Sequence, residues 1–295
     1  MRILITGGAG QVGWELCRTL AVYGDIFAPA RSQLDLESAD SIVSSVRDFG
    51  PELIINAAGY TAVDRAESDA ELAAKVNGDA PRILAEEAAR LGAGIVHYST
   101  DYVFDGNKSE AYGEADEAAP INVYGRTKLA GERGVAGSNP AYLILRTGWL
   151  YGPRGRNFLL TVLRLSRERK ELKVVDDQYG APTPARLIAT ATACVVARLS
   201  RHSKLDAGAL EDIGGVYHLT SAGRASWYEF AQEILRGSTV AKAVVPISTA
   251  DYPFPARRPL NSVLDNSKIA RAFGIELPDW KIGLKLCLEE LKEKG

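Results

Sequence analysis

Residues 3–16 read Ile3-Leu-Ile-Thr-Gly7-Gly-Ala-Gly10-Gln11-Val12-Gly13-Trp-Glu-Leu16, an apolar run followed by glycines at 7, 10 and 13. The apolar run predicts a strand and the residues after Gly10 a helix, so the glycines occupy the turn between them. Glycine there permits a tight turn and close approach of the backbone to a pyrophosphate. The helix N-terminus adds unpaired N–H groups and positive dipole character. Because the motif opens a strand–helix unit, it reads as a dinucleotide-binding turn.

Outward from that turn, short apolar segments recur at 3–6, 26–28, 53–58, 94–99 and 142–146, separated by stretches of helical periodicity. This alternation predicts an α/β fold, a Rossmann-type doubly wound parallel sheet. The near-continuous apolar run Leu53-Ile-Ile-Asn-Ala-Ala-Gly59 suits a strand covered on both faces. A helix is expected over 80–91, with Pro81 in its first turn and Gly92 as its stop. Beyond Gly152 the pattern is irregular, with helices expected near 157–169, 184–201, 226–236 and 265–273 and strands near 172–176 and 216–220. The chain therefore divides into an NAD(P)-binding Rossmann domain, 1–151, and a smaller α+β substrate lobe, 152–295. Segments near 172–200 and 216–225 are expected to return to the main domain.

The chain has 295 residues, with 35 basic against 37 acidic side chains and a net charge of -2. No block of like charge points to nucleic acid or a membrane surface, so the partner is a small molecule. No apolar run approaches the roughly 20 residues that span a bilayer. Cys17, Cys194 and Cys287 are odd in number and widely spread, which argues against a disulfide framework and for the cytoplasm. His97, His202 and His218 lack metal-ligand spacing, and His97 and His218 read as structural residues on strands.

The nucleotide is chosen at the end of the second strand, where Ala30-Arg31-Ser32 stands. A cation there favours the 2′-phosphate, so Arg31 points to NADPH, with NADH as the alternative if Arg31 is simply a solvated surface group. Asp35, followed by Leu36, either hydrogen-bonds the adenine or caps the next helix. Further on, Tyr124 and Lys128 lie four apart on one helix face. With 12 tyrosines in the chain that spacing decides little, and context carries it. The strand ending Ser99-Thr100-Asp101 presents two hydroxyls and a carboxylate where a parallel sheet meets its ligand. Reduction of a carbonyl needs a proton donor for the developing alkoxide. A phenol beside an ammonium supplies one, and the Thr100 hydroxyl polarises the substrate oxygen. Asp101 either positions a substrate hydroxyl or caps the next segment. In the loop Asp251-Tyr-Pro-Phe-Pro-Ala-Arg257-Arg258, either arginine could pair with a diphosphate or stay solvated.

The glycine turn, Asn56-Ala57-Ala58-Gly59 and the Tyr124/Lys128 pair together resemble the extended short-chain dehydrogenase/reductases. More narrowly, Thr61-Ala-Val-Asp-Arg-Ala-Glu67, Ser99-Thr-Asp-Tyr-Val-Phe-Asp-Gly106 and Asp177-Gln-Tyr-Gly-Ala-Pro-Thr183 resemble the dTDP-4-dehydrorhamnose reductase family, nearly end to end. The resemblance implies NAD(P)H-dependent reduction of the C4 ketone of dTDP-4-dehydro-β-L-rhamnose to dTDP-β-L-rhamnose. It implies Tyr124 and Lys128 as the catalytic pair, to which the chemistry above adds Thr100. It places Gly10, Gln11 and Val12 on the pyrophosphate, Gly59, Tyr60 and Thr61 along the cofactor and Tyr98 near it; Gly7, Gly13, Arg31, Asp35, Leu36, Ala57 and Ala58, with Tyr124 and Lys128, complete the expected cofactor set from the turn and the strand ends. Val63, Thr100, Asp101, Tyr102 and Trp149 fall on the sugar. Some members of the family use Mg²⁺ held by acidic groups between subunits. Glu15 is the one such residue that can be placed, so no metal is expected to be required. The partner implied is a nucleotide sugar, and a homodimer is compatible. Two alternatives stay open: an epimerase or dehydratase that retains its NAD, and a non-catalytic regulatory subunit resembling methionine adenosyltransferase β.

Overall fold

The computed structural model describes residues 1–201, 204–236, 243–252 and 254–293; His202 lies outside them. Its centre is a six-stranded parallel sheet of β1 (Arg2–Thr6), β2 (Asp25–Phe27), β3 (Leu53–Asn56), β4 (Gly94–Thr100), β5 (Tyr142–Thr147) and β6 (Gly215–His218). The order is β6-β5-β4-β3-β1-β2. The chain leaves β1 toward one edge and returns to its other side as β3, so the crevice of this doubly wound sheet opens at the C-terminal ends of β1 and β3. The glycine turn follows β1 at that point.

β3 and β4 are buried along their whole length, as strands covered on both faces must be. Alternate residues serve the two faces. Ile3, Ile5, Val96 and Leu145 pack with Leu16 of α1 (Gln11–Thr19) and Ile188 and Val195 of α6 (Ala185–Arg198). On the opposite face Leu4, Ile54, Ile95 and Ile144 meet Ile42 of α2 (Ala39–Phe49), Leu84 of α3 (Ala80–Arg90) and Val135 of α4 (Val123–Ser138).

Of the segments expected to return to this body, Gly215–His218 adds the edge strand β6 and α6 packs on α1. Glu171–Val175 instead pairs with Ala243–Ile247 in the smaller lobe. That strand partner and α8 (Trp280–Glu293) are additional to the sequence expectation. Trp280, Leu284 and Cys287 of α8 join Phe230 of α7 (Trp227–Leu235) and Leu159 of α5 (Phe158–Glu168) in a separate apolar core with Trp149 and Tyr151. Among the described residues no helix is long and apolar enough to cross a membrane.

The helix expected to start at residue 80 begins earlier. The chain is helical from residue 70 and passes through a π-type turn, Lys75–Asp79, into α3. Pro81 has no N–H for the Asn77 carbonyl, and the widened turn absorbs that break. The Asn77 carbonyl lies where a Cβ on Gly131 of α4 would come within 2.1 Å of it, so the two helices touch through a glycine. Gly92, in the left-handed region at φ 63°, follows the end of α3.

Candidate active site

Gly7 takes φ 71°, and a Cβ on it would lie 2.8 Å from the Ala57 carbonyl oxygen and the Ala58 nitrogen. A Cβ on Gly13 would lie 2.1 Å from the Gly7 carbonyl oxygen. The first glycine thus lets the turn press on the end of β3, and the third lets α1 press on the turn. Gly10 caps α1 with no side-chain hydrogen bond, leaving the helix N-terminus open. Beside it lies a cleft of about 490 Å³ lined by Gly7, Arg31, Asp35, Leu36, Ala58, Gly59 and Tyr60. A glycine-lined cradle at a helix N-terminus fits the pyrophosphate of a dinucleotide.

Arg31 lines this cleft but is paired with Glu37, and its Nε lies 3.7 Å from Asp35. Asp35 does not cap α2. Its Oδ1 accepts from the Glu37 N–H at 3.1 Å, and Ser38 is the cap, accepting from the Ser41 N–H at 3.3 Å. The choice between adenine and cap at Asp35 therefore loses its second branch.

A second cavity, about 390 Å³, is lined by Gln11, Thr61, Val63, Thr100, Asp101, Tyr102, Tyr124 and Trp149, with Ser99 and Thr147 behind them. Each strand end delivers its residues by register, with Thr100 of β4 opposite Thr147 of β5. Tyr124 enters from the first turn of α4, which Asn122 caps by accepting from the Gly125 N–H at 2.7 Å. The Thr100 hydroxyl accepts from the Tyr102 N–H at 3.1 Å and donates to Asp101 Oδ1 at 3.0 Å, in the cavity that Tyr124 also lines. Burial, with Asp101 adding to it, pushes the Tyr124 phenol up to about 12 while the Thr100 hydroxyl opposes it, so the phenol is protonated at neutral pH. Burial likewise pushes the Asp101 carboxyl up to about 6. Trp149 holds the unusual φ of 50° for a non-glycine residue, and its ring lies against Trp227 at 3.5 Å between centroids. Positive φ at a bulky side chain stores strain of the kind that clusters at ligand sites. Ser99 Oγ, Thr147 Oγ1 and Trp149 Nε1 are buried without a protein partner among the described residues, and the Trp149 edge that carries Nε1 lies against Gly180.

Lys128 lies behind this layer. Its Nζ donates to the Tyr98 carbonyl at 2.5 Å and lies 3.5 Å from His97 Nε2. Burial lowers its ammonium to about 8, and the Glu132 carboxylate opposes that shift. Lys128, expected to supply charge to Tyr124, is held at the Tyr98 carbonyl one helical turn away, while burial and Asp101 raise the phenol. Tyr98 offers its carbonyl, not its ring. Its phenol turns into the core and pairs with Thr192 of α6 at 2.6 Å, because alternation along β4 sends it to the α1 and α6 face. Val12 is likewise buried in that core, and Gly13 and Ala57 act through backbone packing.

Glu15, the one placed candidate for a metal, is ion-paired with Arg186 at 3.2 Å, and Arg186 reaches Glu290 at 2.8 Å. Among the described residues no group of three or more His, Cys, Asp or Glu could hold a metal ion. Arg258 is held by Asp64 at 2.8 Å and lines both the Tyr124 cavity and a neighbouring one of about 870 Å³, which Phe158 and Trp227 also share. Arg257 is exposed.

Three residues of the site escaped the sequence reading. Asn77 of the π-type turn accepts from the Tyr60 N–H at 2.8 Å and donates to the Tyr60 carbonyl at 3.1 Å, fixing the loop after β3. Asn157, the cap of α5, donates to Gln11 Oε1 at 2.8 Å and to the Gly152 carbonyl at 2.9 Å, joining the lobe to α1. Trp227 walls the sugar side. An asparagine before an apolar helix was readable as a cap for Asn157; no local signal marks the other two.

Comparison with known proteins agrees with this arrangement. The family described as the RmlD substrate binding domain matches residues 1–293. A dTDP-4-dehydrorhamnose reductase of Burkholderia thailandensis is 49% identical over 299 residues, 99% of each chain. A crystal structure of a dTDP-4-dehydrorhamnose reductase from Clostridium acetobutylicum superposes with a TM-score of 0.92 at 38% identity, over 99% of this chain and 100% of that one. Another, from Bacillus anthracis in complex with NADP, gives 0.88 at 35% identity, over 98% of this chain and 99% of that one.

Proposed function

This chain belongs to the RmlD substrate binding domain family, whose relatives include dTDP-4-dehydrorhamnose reductases, and from that premise we propose that it reduces the C4 ketone of dTDP-4-dehydro-β-L-rhamnose to dTDP-β-L-rhamnose with NADPH. In this reading residues 1–151 hold the dinucleotide, the lobe at 152–295 covers the sugar nucleotide, and the reaction takes place in the cytoplasm.

The observation that carries the reading is a buried, protonated phenol, Tyr124, that shares a cavity with Thr100 beside the glycine-lined cleft. The dinucleotide, when bound, supplies the hydride. On substrate binding the Thr100 hydroxyl proton turns from Asp101 Oδ1 to the ketone oxygen and holds it toward Tyr124. As the C4–H bond forms, the oxygen gains charge and takes the phenol proton: the Tyr124 O–H bond breaks and the sugar O–H bond forms. An alkoxide is a stronger base than a phenolate, so a phenol at about 12 gives up its proton downhill. Lys128, one helical turn on and weakened to about 8, is the donor we assign to restoring Tyr124.

Trp149 and Trp227, which line this cavity, offer apolar ring surface to the deoxysugar. Arg156 and Arg258 line the same cavity, which suits a diphosphate at its junction with the larger one. The larger cavity then takes the nucleoside, against Tyr252 and Phe254. The test is NADPH oxidation measured with dTDP-4-dehydrorhamnose against a panel of other keto-sugar nucleotides. Turnover confined to the rhamnose precursor supports the reading, and turnover with none of them contradicts it.

A further inference from the structure

Thr6, Asn56 and His97 sit side by side across three strands, Thr6 opposite Asn56 and Asn56 opposite His97. All three are buried. They form one directional chain. The Ala58 N–H donates to Thr6 Oγ1 at 3.3 Å, so the hydroxyl gives its proton onward to Asn56 Oδ1 at 2.7 Å. That fixes the Asn56 amide with its oxygen toward Thr6 and its NH₂ toward His97. Asn56 Nδ2 therefore donates to His97 Nδ1 at 3.1 Å, which leaves the imidazole proton on Nε2. Nε2 is the atom 3.5 Å from Lys128 Nζ.

We infer that this chain is a tautomer lock, in which His97 is a positioning residue that points Nε2–H at the Lys128 amine and so makes the lysine readier to give up its proton. An N–H facing an ammonium sets donor against donor, whereas the same N–H finds a lone pair on the neutral amine. His97 is not in competition for the proton, since complete burial and the lysine charge both hold its own affinity well below the ordinary range. The other groups around Lys128 are accounted for. Glu132 on its own helix favours the ammonium but is engaged by Arg146 of β5 at 2.7 Å and 2.9 Å. Tyr124, one turn before, is protonated, and Asn77 of the π-type turn, on the far side of Gly59, is uncharged. Burial is the first influence that weakens the Lys128 ammonium, and His97 adds to it from Nε2.

The inference rests on the reading of Lys128 as part of the site, yet its test uses neither substrate nor cofactor, so its failure and that of ketone reduction are told apart. In ¹⁵N-labelled protein, a long-range proton–nitrogen spectrum resolves the three histidines of the chain. His97, identified as the signal kept in both His202→Gln and His218→Gln, should be a neutral Nε2–H imidazole from pH 6 to pH 9. The lysine ¹³Cε signal absent from Lys128→Arg should titrate at least about tenfold less readily, at higher pH, in His97→Gln than in the native chain. An Nδ1–H tautomer or an imidazolium at His97 overturns the lock even if the variant does not fold. An unmoved Lys128 midpoint in a folded His97→Gln overturns it as well.

Discussion

At the scale of single residues, the site depends on groups whose freedom has been taken away. A Cβ on Gly148 would lie 2.5 Å from the Asp101 carboxyl carbon, so Gly148→Ala should displace that carboxyl and lower kcat/KM at least about tenfold, with an unchanged circular dichroism spectrum. Glu37 pairs with Arg31 in the cofactor cleft and competes with a 2′-phosphate for it, so Glu37→Gln should raise the preference for NADPH over NADH, read from the ratio of the two dissociation constants. Lys128 gives a prediction in pH. Its native value, about 8, is below the 10.5 of the unfolded chain, so the unfolded state binds more protons between those values and stability rises with pH across that window. Below pH 8 burial of the ammonium costs on the order of 3 kcal/mol. Lys128→Met should be more stable than the native chain in urea at pH 7, and the gap should narrow by pH 10. The sequence made Tyr124, Lys128 and Thr100 legible by type and position. It did not reveal that Lys128 is tied to the Tyr98 carbonyl and His97, because those contacts join a strand to a helix about thirty positions away.

Among the elements, the glycine turn is the clearest case of sequence dictating form. Close approach excludes every larger residue at Gly7 and Gly13, and the spacing records it. Gly13→Ala should therefore abolish NADPH binding and destabilise the fold by about 3 kcal/mol or more, measured by urea denaturation. The π-type turn at Lys75–Asp79 was not legible, since Pro81 alone is equally at home in the first turn of a new helix. The fold chose continuity because Asn77 then reaches both backbone groups of Tyr60. Asn157 caps α5 and ties it to Gln11, and so couples the lobe to the cofactor helix. Asn157→Ala should cost about 1 kcal/mol in stability and also raise KM for the sugar nucleotide in steady-state kinetics, an effect that loss of a cap alone does not give.

For the whole molecule, short apolar segments alternating with helical periodicity foretold the parallel sheet, because strands covered on both faces are apolar along their length. The smaller lobe was harder to read. Its elements are short, α8 interleaves its buried Trp280, Leu284 and Cys287 with lysines and glutamates, and Ala243–Ile247 pairs with a strand some seventy residues earlier. What the two bodies make together is a cleft with a dinucleotide cradle on one side and a protonated phenol on the other. This arrangement suits a net reduction, and counting NADPH oxidised against dTDP-4-dehydrorhamnose consumed in one closed reaction decides it. One NADP⁺ should be released for each dTDP-rhamnose formed. Conversion of the sugar with no net loss of NADPH, as a cofactor-retaining enzyme would give, contradicts it.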